Sequence, residues 1–202
     1  IAQRWFASCV NFDSAPAIGT IGTNHFLLAV SASDDPTGSW KGVLLPSGPG
    51  GSYFADFPTL GLDAHGVYLA GDMWDTTGTS LDATFLVSIP KADLLAGTPI
   101  ITNRTSFGIM SYASRGAMLQ PVVCLDGSSS GRVLAVGDLG YDLIPHSNLV
   151  SFAVQNAAGP GAATLSAAAA IPVAAYSIPL DPPQPDGSFG IPDGDTRFSA
   201  TV

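Results

Sequence analysis

Asp56-Phe57-Pro58-Thr59-Leu60-Gly61-Leu62-Asp63-Ala64-His65-Gly66-Val67-Tyr68-Leu69-Ala70-Gly71 reads as one β-hairpin. A polar, turn-forming lead gives way to a small, apolar strand at 59–62. The quartet Asp63 to Gly66 makes the turn, and 67–71 is the returning strand. A quartet ending in Gly between two apolar runs is a hairpin signal, because Gly accepts the backbone angles that tight turns require. The same outline recurs in Arg4-Trp5-Phe6-Ala7-Ser8-Cys9-Val10, in Gln120-Pro121-Val122-Val123-Cys124-Leu125-Asp126 and in Asp195-Thr196-Arg197-Phe198-Ser199-Ala200-Thr201-Val202. The copies lie roughly 50 to 75 residues apart, the range of propeller blades and other repeats.

Further strands fill the intervals. Residues 24–31 and 39–45 follow the first copy. Residues 84–89 follow the second, then a helical turn from Pro90 stopped by Gly97, and an outer strand at 99–102. After the third copy, 122–125 is a strand, 126–131 the turn, and 132–137 and 148–154 two more strands. The Ala-rich stretch 162–175 reads as strand, since Ile171, Val173 and Tyr176 flank Pro172 in an extended pattern. This arrangement predicts an all-β fold, a β-propeller of about three blades at 1–50, 51–116 and 117–178. Residues 179–194, rich in Pro, form a connecting loop, and 195–202 open a fourth blade. Three blades do not close a ring, so the expectation is a fragment whose open blade edge pairs with another chain or a further segment. The chain opens on a strand-like Ile1-Ala2-Gln3-Arg4-Trp5, which raises the same expectation at its start.

Composition agrees with many short strands. Of 202 residues 46% are hydrophobic and 11% charged, with 23 Gly and 16 Pro, and the mean hydropathy is +0.32. Those values exclude a disordered chain. All 16 acidic residues are Asp; Asp favours turns where Glu favours helices. The net charge of −9, with no basic cluster, disfavours nucleic acid. No apolar run is long enough to span a membrane as a helix. Cys9 and Cys124 fall at matching places in non-adjacent repeats, usually too far apart to bridge, and read as two buried free thiols in preference to a disulfide.

Several of these segments together resemble bacterial secreted or cell-surface β-propeller proteins. They include Arg4-Trp5, residues 29–40 (Ala29 to Trp40), Asp56-Phe57-Pro58-Thr59-Leu60-Gly61, Gly66-Val67-Tyr68, Gln120-Pro121, Tyr176, Pro179, Gln184-Pro185 and Gly194-Asp195-Thr196-Arg197. The resemblance covers nearly the whole chain. It implies a propeller outside the cytoplasm and no particular reaction. Within it, Ser33-Asp34-Asp35-Pro36-Thr37-Gly38-Ser39-Trp40 looks like an Asp-box, the hairpin motif of sialidases and other propellers. Gly38 falls one place late, and Ser39 stands where that motif has Thr. The implied roles of Ser33, Asp35, Gly38 and Trp40 are structural: the carboxylate caps turn amides, and the aromatic packs between strands.

Candidate ligand contacts are the polar residues at the leads of the repeats: Arg4, Asp56, Gln120 and Arg197. They would face a central channel; the other role open to them is hydrogen bonding between neighbouring blades. Asp193 and Asp195, with Asp34-Asp35 as a second place, are candidate Ca²⁺ ligands, although neither forms an EF-hand loop. Gly127-Ser128-Ser129-Ser130-Gly131 satisfies G-x-S-x-G, but a strand follows it where a nucleophile elbow needs a helix. His25, His65 and His146 lack metal-ligand spacing. Two functions stay open: a non-catalytic extracellular module for binding, adhesion or assembly with a protein or glycan ligand, and a propeller-type glycoside hydrolase or sialidase-like enzyme using channel carboxylates.

Overall fold

The computed structural model describes residues 3–11, 24–48, 53–75, 83–127, 130–137, 145–158, 161–177, 181–187 and 190. They form an all-β protein of three antiparallel sheets, each built in chain order. The first holds β1 (Phe6–Val10), β2 (His25–Ser31) and β3 (Trp40–Pro46). The second holds β4 (Tyr53–Leu62), β5 (Gly66–Asp75), β6 (Ala83–Pro90) and β7 (Thr105–Ser111). The one-turn helices α1 (Lys91–Leu94) and α2 (Tyr112–Arg115) flank β7. The third sheet runs β8 (Ala117–Pro121), β9 (Gly131–Val136) and β10 (His146–Gln155). The free edge of β10 then takes both β11 (Thr164–Leu165) and β12 (Ala169–Tyr176).

The sheets stack face to face, and alternation in the sequence explains why. In β2, Phe26, Leu28 and Val30 are buried, and the residues between them point to the opposite face. In β5 every residue from Gly66 to Met73 is buried, so this strand is covered on both sides. Val67, Leu69 and Met73 meet Phe26, Leu28 and Leu45 of the first sheet. Tyr68 and Ala70 meet Leu119, Val133, Ala135 and Phe152 of the third. The Phe26 and Phe85 rings stack across the first interface at 5.7 Å. Asn24, buried just before β2, docks the first sheet on the second: its Nδ2 donates to the Ala55 carbonyl and its Oδ1 accepts from the Ala55 N–H, each at 2.7 Å.

The leading strands of the sheets lie side by side, with β4 touching β1 and β8. Leu62 bridges Val123 in parallel, through Leu62 N–H to the Val122 carbonyl at 3.1 Å and Cys124 N–H to the Leu62 carbonyl at 2.7 Å. The Thr59 hydroxyl donates to the Leu119 carbonyl at 2.6 Å. β4 and β8 also share one irregularity. Each shifts register by a bulge, between Asp56 and Thr59 in β4 and between Ala117 and Gln120 in β8. Phe57 and Met118 take positive φ there, 47° and 53°. The shared bulge places Asp56 level with Ala117, and Thr59 level with Gln120.

Three expectations are corrected. The strand expected at 122–125 is displaced to Ala117–Pro121, because beyond Pro121 the backbone hydrogen-bonds to Leu62 of the neighbouring sheet. The outer strand expected at 99–102 is instead β7, Thr105–Ser111; residues 99–104 are held as a loop by Ile100 N–H to Asp93 O and Arg104 N–H to Ile101 O, both 3.2 Å. The two thiols are free, but Cys9 is exposed and Cys124 half-buried, because Cys9 alternates with Val10 onto the outward face of its sheet. The segment 181–187 has no regular strand and closes one turn, Gly187 N–H to Gln184 O at 3.0 Å. The expected opening of a fourth unit at 195–202 lies outside the described residues.

Candidate functional site

The densest polar constellation is at the β4–β5 turn. Asp63 is fully buried. Its Oδ1 accepts from the His65 and Gly66 amides and its Oδ2 from the Tyr68 hydroxyl, all at 2.7 Å. The Lys91 ammonium donates to the Asp63 carbonyl, and the Lys91 amide donates to the His65 carbonyl at 2.7 Å. A short carboxylate is suited to this work because it reaches amides two and three residues ahead in its own turn. Tyr68 lies over β9, where a Cβ built on Gly131 would come within 2.2 Å of the ring. No substrate reaches a group so enclosed; the cluster clamps the second sheet to the third.

This clamp has a pH signature. Burial, and then the bond to Asp63, hold the Tyr68 phenol well above its ordinary pKa of 10.0. The folded protein keeps a proton there that the unfolded chain releases. That contribution is complete below pH 10 and is lost as pH rises further, at about 1.4 kcal/mol per pH unit for one group. Lys91 acts in the opposite sense: burial lowers its pKa from 10.5, with Asp63 opposing, so its contribution grows with pH up to that value. Tyr68→Phe is therefore expected to flatten the alkaline fall in stability, measured by urea denaturation between about pH 9 and 12. Parallel profiles for the two proteins would remove Tyr68 from the titration.

The residues singled out at the repeat leads each hydrogen-bond locally. Arg4 is exposed, and its Nη1 donates to the Gln3 carbonyl at 2.7 Å. Asp56 is half-buried; it accepts from the Phe57 amide at 2.9 Å and the Trp74 indole at 3.4 Å. Gln120 is 5% exposed, and its Nε2 donates to the Pro121 carbonyl at 3.1 Å. None of these three bonds another. Arg197, Asp193 and Asp195 lie outside the described residues, as do Ser128 and Ser129. Opposite Asp56 in the register stands Asp72, a neighbour that the sequence reading missed; Gly71-Asp72 inside an apolar strand is the only signal for it. Among the described residues no group of three His, Cys, Asp or Glu could hold a metal ion.

The hairpin from Ser33 to Trp40 is a closed local network. Ser33 Oγ accepts from the Asp35 amide at 3.3 Å. Asp35 Oδ1 accepts from the Thr37 amide at 2.9 Å and hydroxyl at 2.7 Å, and these bonds hold its pKa below the ordinary carboxylate value. Gly38 N–H returns to the Asp35 carbonyl at 3.2 Å. The Trp40 indole donates to the Pro36 carbonyl at 3.0 Å. Trp5 joins from β1's lead, its indole donating to the Asp34 carbonyl at 2.8 Å. The sequence reading did not connect Trp5 to this hairpin, because 29 residues separate Trp5 from Asp34.

Two concavities accompany these groups. One, about 260 Å³, lies beside α2 and is lined by Tyr112, Ser114, Gly116, Asn148 and the alanines 168–170. Close by, the Tyr176 hydroxyl accepts from Gly137 N–H at 3.0 Å and donates to Asn148 O at 2.9 Å. Among the described residues this first concavity is lined by no carboxylate, imidazole or amine. The other, about 440 Å³, is a shallow apolar groove on the outward face of the first sheet, over Ala7, Cys9, Leu27, Ala29, Gly42 and Leu44. No helix among the described residues is long and apolar enough to cross a membrane. No family model, curated protein or solved structure matches the chain.

Proposed function

We propose that the stacked sheets are consecutive blades of a β-propeller and that the protein is a non-catalytic binding and assembly module outside the cytoplasm, with a protein or glycan ligand. The observation that carries the fold part is the parallel contact of β4 with β8, repeated bulge included. Sheets that meander outward from adjacent leading strands, each covering its neighbour's face, follow propeller logic. The functional part rests on where the acids are used. Asp63, Asp35 and Asp56 each accept hydrogen bonds from turn or strand groups, which leaves loops, edges and outward faces as the recognition surface.

One observation favours the glycosidase reading as a second choice. Asp56 and Asp72 are opposite residues of an antiparallel pair, and retaining glycosidases hold two carboxyl groups about 5 Å apart. Asp72 is 2% exposed, so a sugar has no route to it, and the binding reading is preferred. A glycosidase panel run beside a glycan array separates the two. The expected outcome is binding without turnover. Hydrolysis of any glycoside that Asp56→Ala abolishes would overturn the non-catalytic reading.

A further inference from the structure

We infer that the concavity beside α2 holds one neutral N-acetylhexosamine unit of a glycan, with Asn148 reading its acetamido group. This inference rests on the binding-module reading and gives the glycan form of it a ligand class and a location. The walls come from two neighbouring sheets. On one side is the link from β7 to β8, through Tyr112, Ser114 and Gly116; on the other are β10 and β12, through Asn148, Val150 and Ala170. Val150 packs in the cluster that joins the second sheet to the third. Asn148 shares its side of the sheet by alternation along β10, and Ala170 as its cross-strand partner. The site is therefore a groove between two sheets, not the outer face of an end sheet.

Both walls are fixed. Arg115 ties α2 to the third sheet: its Nη1 donates to the Ser166 carbonyl at 2.6 Å, and its guanidinium lies 5.0 Å from the centre of the Phe152 ring. Tyr176 ties the other wall through the Asn148 carbonyl and the Gly137 N–H. A preformed site loses little freedom on binding. The polar groups that line it are few and uncharged. Among the described residues nothing bonds the Asn148 carboxamide; only its backbone carbonyl is used, by Tyr176. A carboxamide offers a donor and an acceptor side by side, the complement of the C=O and N–H of another amide. The alanine methyls at 168–170 lie in the same lining, an apolar bed for an acetyl methyl. Ser114 Oγ donates to the Ser111 carbonyl at 2.8 Å, which leaves its lone pairs for a sugar hydroxyl. No cation among the described residues lines the concavity, so the carboxylate of a sialate finds no counter-charge and the neutral hexosamine is the acetamido sugar that fits. The volume, about 260 Å³, lies just below the range of drug-sized sites, about 300–1,000 Å³, and suits a single sugar unit.

The test uses the protein as it stands, titrated by calorimetry with triacetylchitotriose and N-acetylgalactosamine. Cellotriose, which lacks the acetamido group, and N-acetylneuraminate, which adds a carboxylate, are the comparison ligands. The expected result is saturable binding of at least one N-acetylhexosamine ligand, with cellotriose and N-acetylneuraminate each at least about tenfold weaker. Asn148→Ala should weaken binding about tenfold, the scale of two uncharged hydrogen bonds. Asn148→Asp keeps an acceptor and loses the donor, so it should also bind more weakly than the parent. Ala170→Leu should abolish binding by filling the groove. Ala170 is exposed and the Asn148 carboxamide has no bond to lose, so these variants should melt close to the parent. Full affinity in both Asn148→Ala and Ala170→Leu overturns this site while leaving a binding module. Equal affinity for cellotriose overturns the acetamido reading, and preference for N-acetylneuraminate overturns the charge argument. Absence of binding to both N-acetylhexosamine ligands overturns the inference and leaves the protein-ligand form of the binding-module reading.

Discussion

Gly61→Ala is expected to destabilise the protein by about 3 kcal/mol or more, the upper range for overpacking. A Cβ at this position would lie 2.4 Å from the Pro121 carbonyl carbon, 2.5 Å from its oxygen and 2.6 Å from the Pro121 Cβ. These are backbone and ring atoms, so no side chain can swing aside. The only relief is to move β4 away from β8. That movement stretches Leu62 N–H to Val122 O, Cys124 N–H to Leu62 O and Thr59 Oγ1 to Leu119 O, each worth about 1 kcal/mol. Alanine would regain less than about 1 kcal/mol by restricting the unfolded chain, which does not offset the loss. Gly97→Ala is the matched control, since nothing lies within 4 Å of a Cβ there. Urea denaturation of the three proteins reads the difference. A Gly61→Ala variant as stable as the control would mean that the leading strands do not touch.

Asp63→Ala is expected to cost about 3 to 5 kcal/mol, as for removal of one partner from a buried, charged hydrogen-bond group. The substitution strands three donors at once: the His65 and Gly66 amides and the Tyr68 hydroxyl. Water does not replace the carboxylate at a site where residues 63 and 68 are both fully buried. Asp63→Asn separates geometry from charge. Its carbonyl keeps the two turn amides, and its NH₂ offers a donor to the phenol oxygen, which can accept as well as donate. Asn is expected to retain more than half of the lost stability. Equal losses in the two variants would show that the negative charge, and not the acceptor pattern, holds the turn.

Much of the second sheet was legible before any coordinates, and the reasons are local. Asp63 to Gly66 announces a turn because an Asp carboxylate caps its own following amides and Gly permits tight return; the structure has Asp63 N–H bonded to Gly66 O at 3.1 Å. The apolar periodicity of 84–89 announces β6 in the same way. The third sheet was harder. Its leading strand was placed too late because Val122-Val123-Cys124 is as apolar as a strand, and local pattern does not say which sheet will take its hydrogen bonds. The bulge was invisible, since Phe57 and Met118 are residues that seldom take positive φ.

The candidate contacts fared according to range. Ser33, Asp35 and Gly38 interact within five residues, a range over which turn chemistry is local. Asp56 accepts from the next amide and from an indole 18 residues away, and only the second of these is beyond the reach of local pattern. Residues 56–71 by themselves determined a hairpin, and the recurrence of their outline determined an all-β chain, because turn chemistry and strand alternation are short-range. The tertiary structure alone decided that Gly61 lies against Pro121, that Tyr68 rests on Gly131, and that Trp5 and Trp40 lock onto one hairpin. Those contacts join residues 29 to 63 positions apart or bind two strands to a common loop, and no spacing in a sequence encodes which faces will meet when sheets stack.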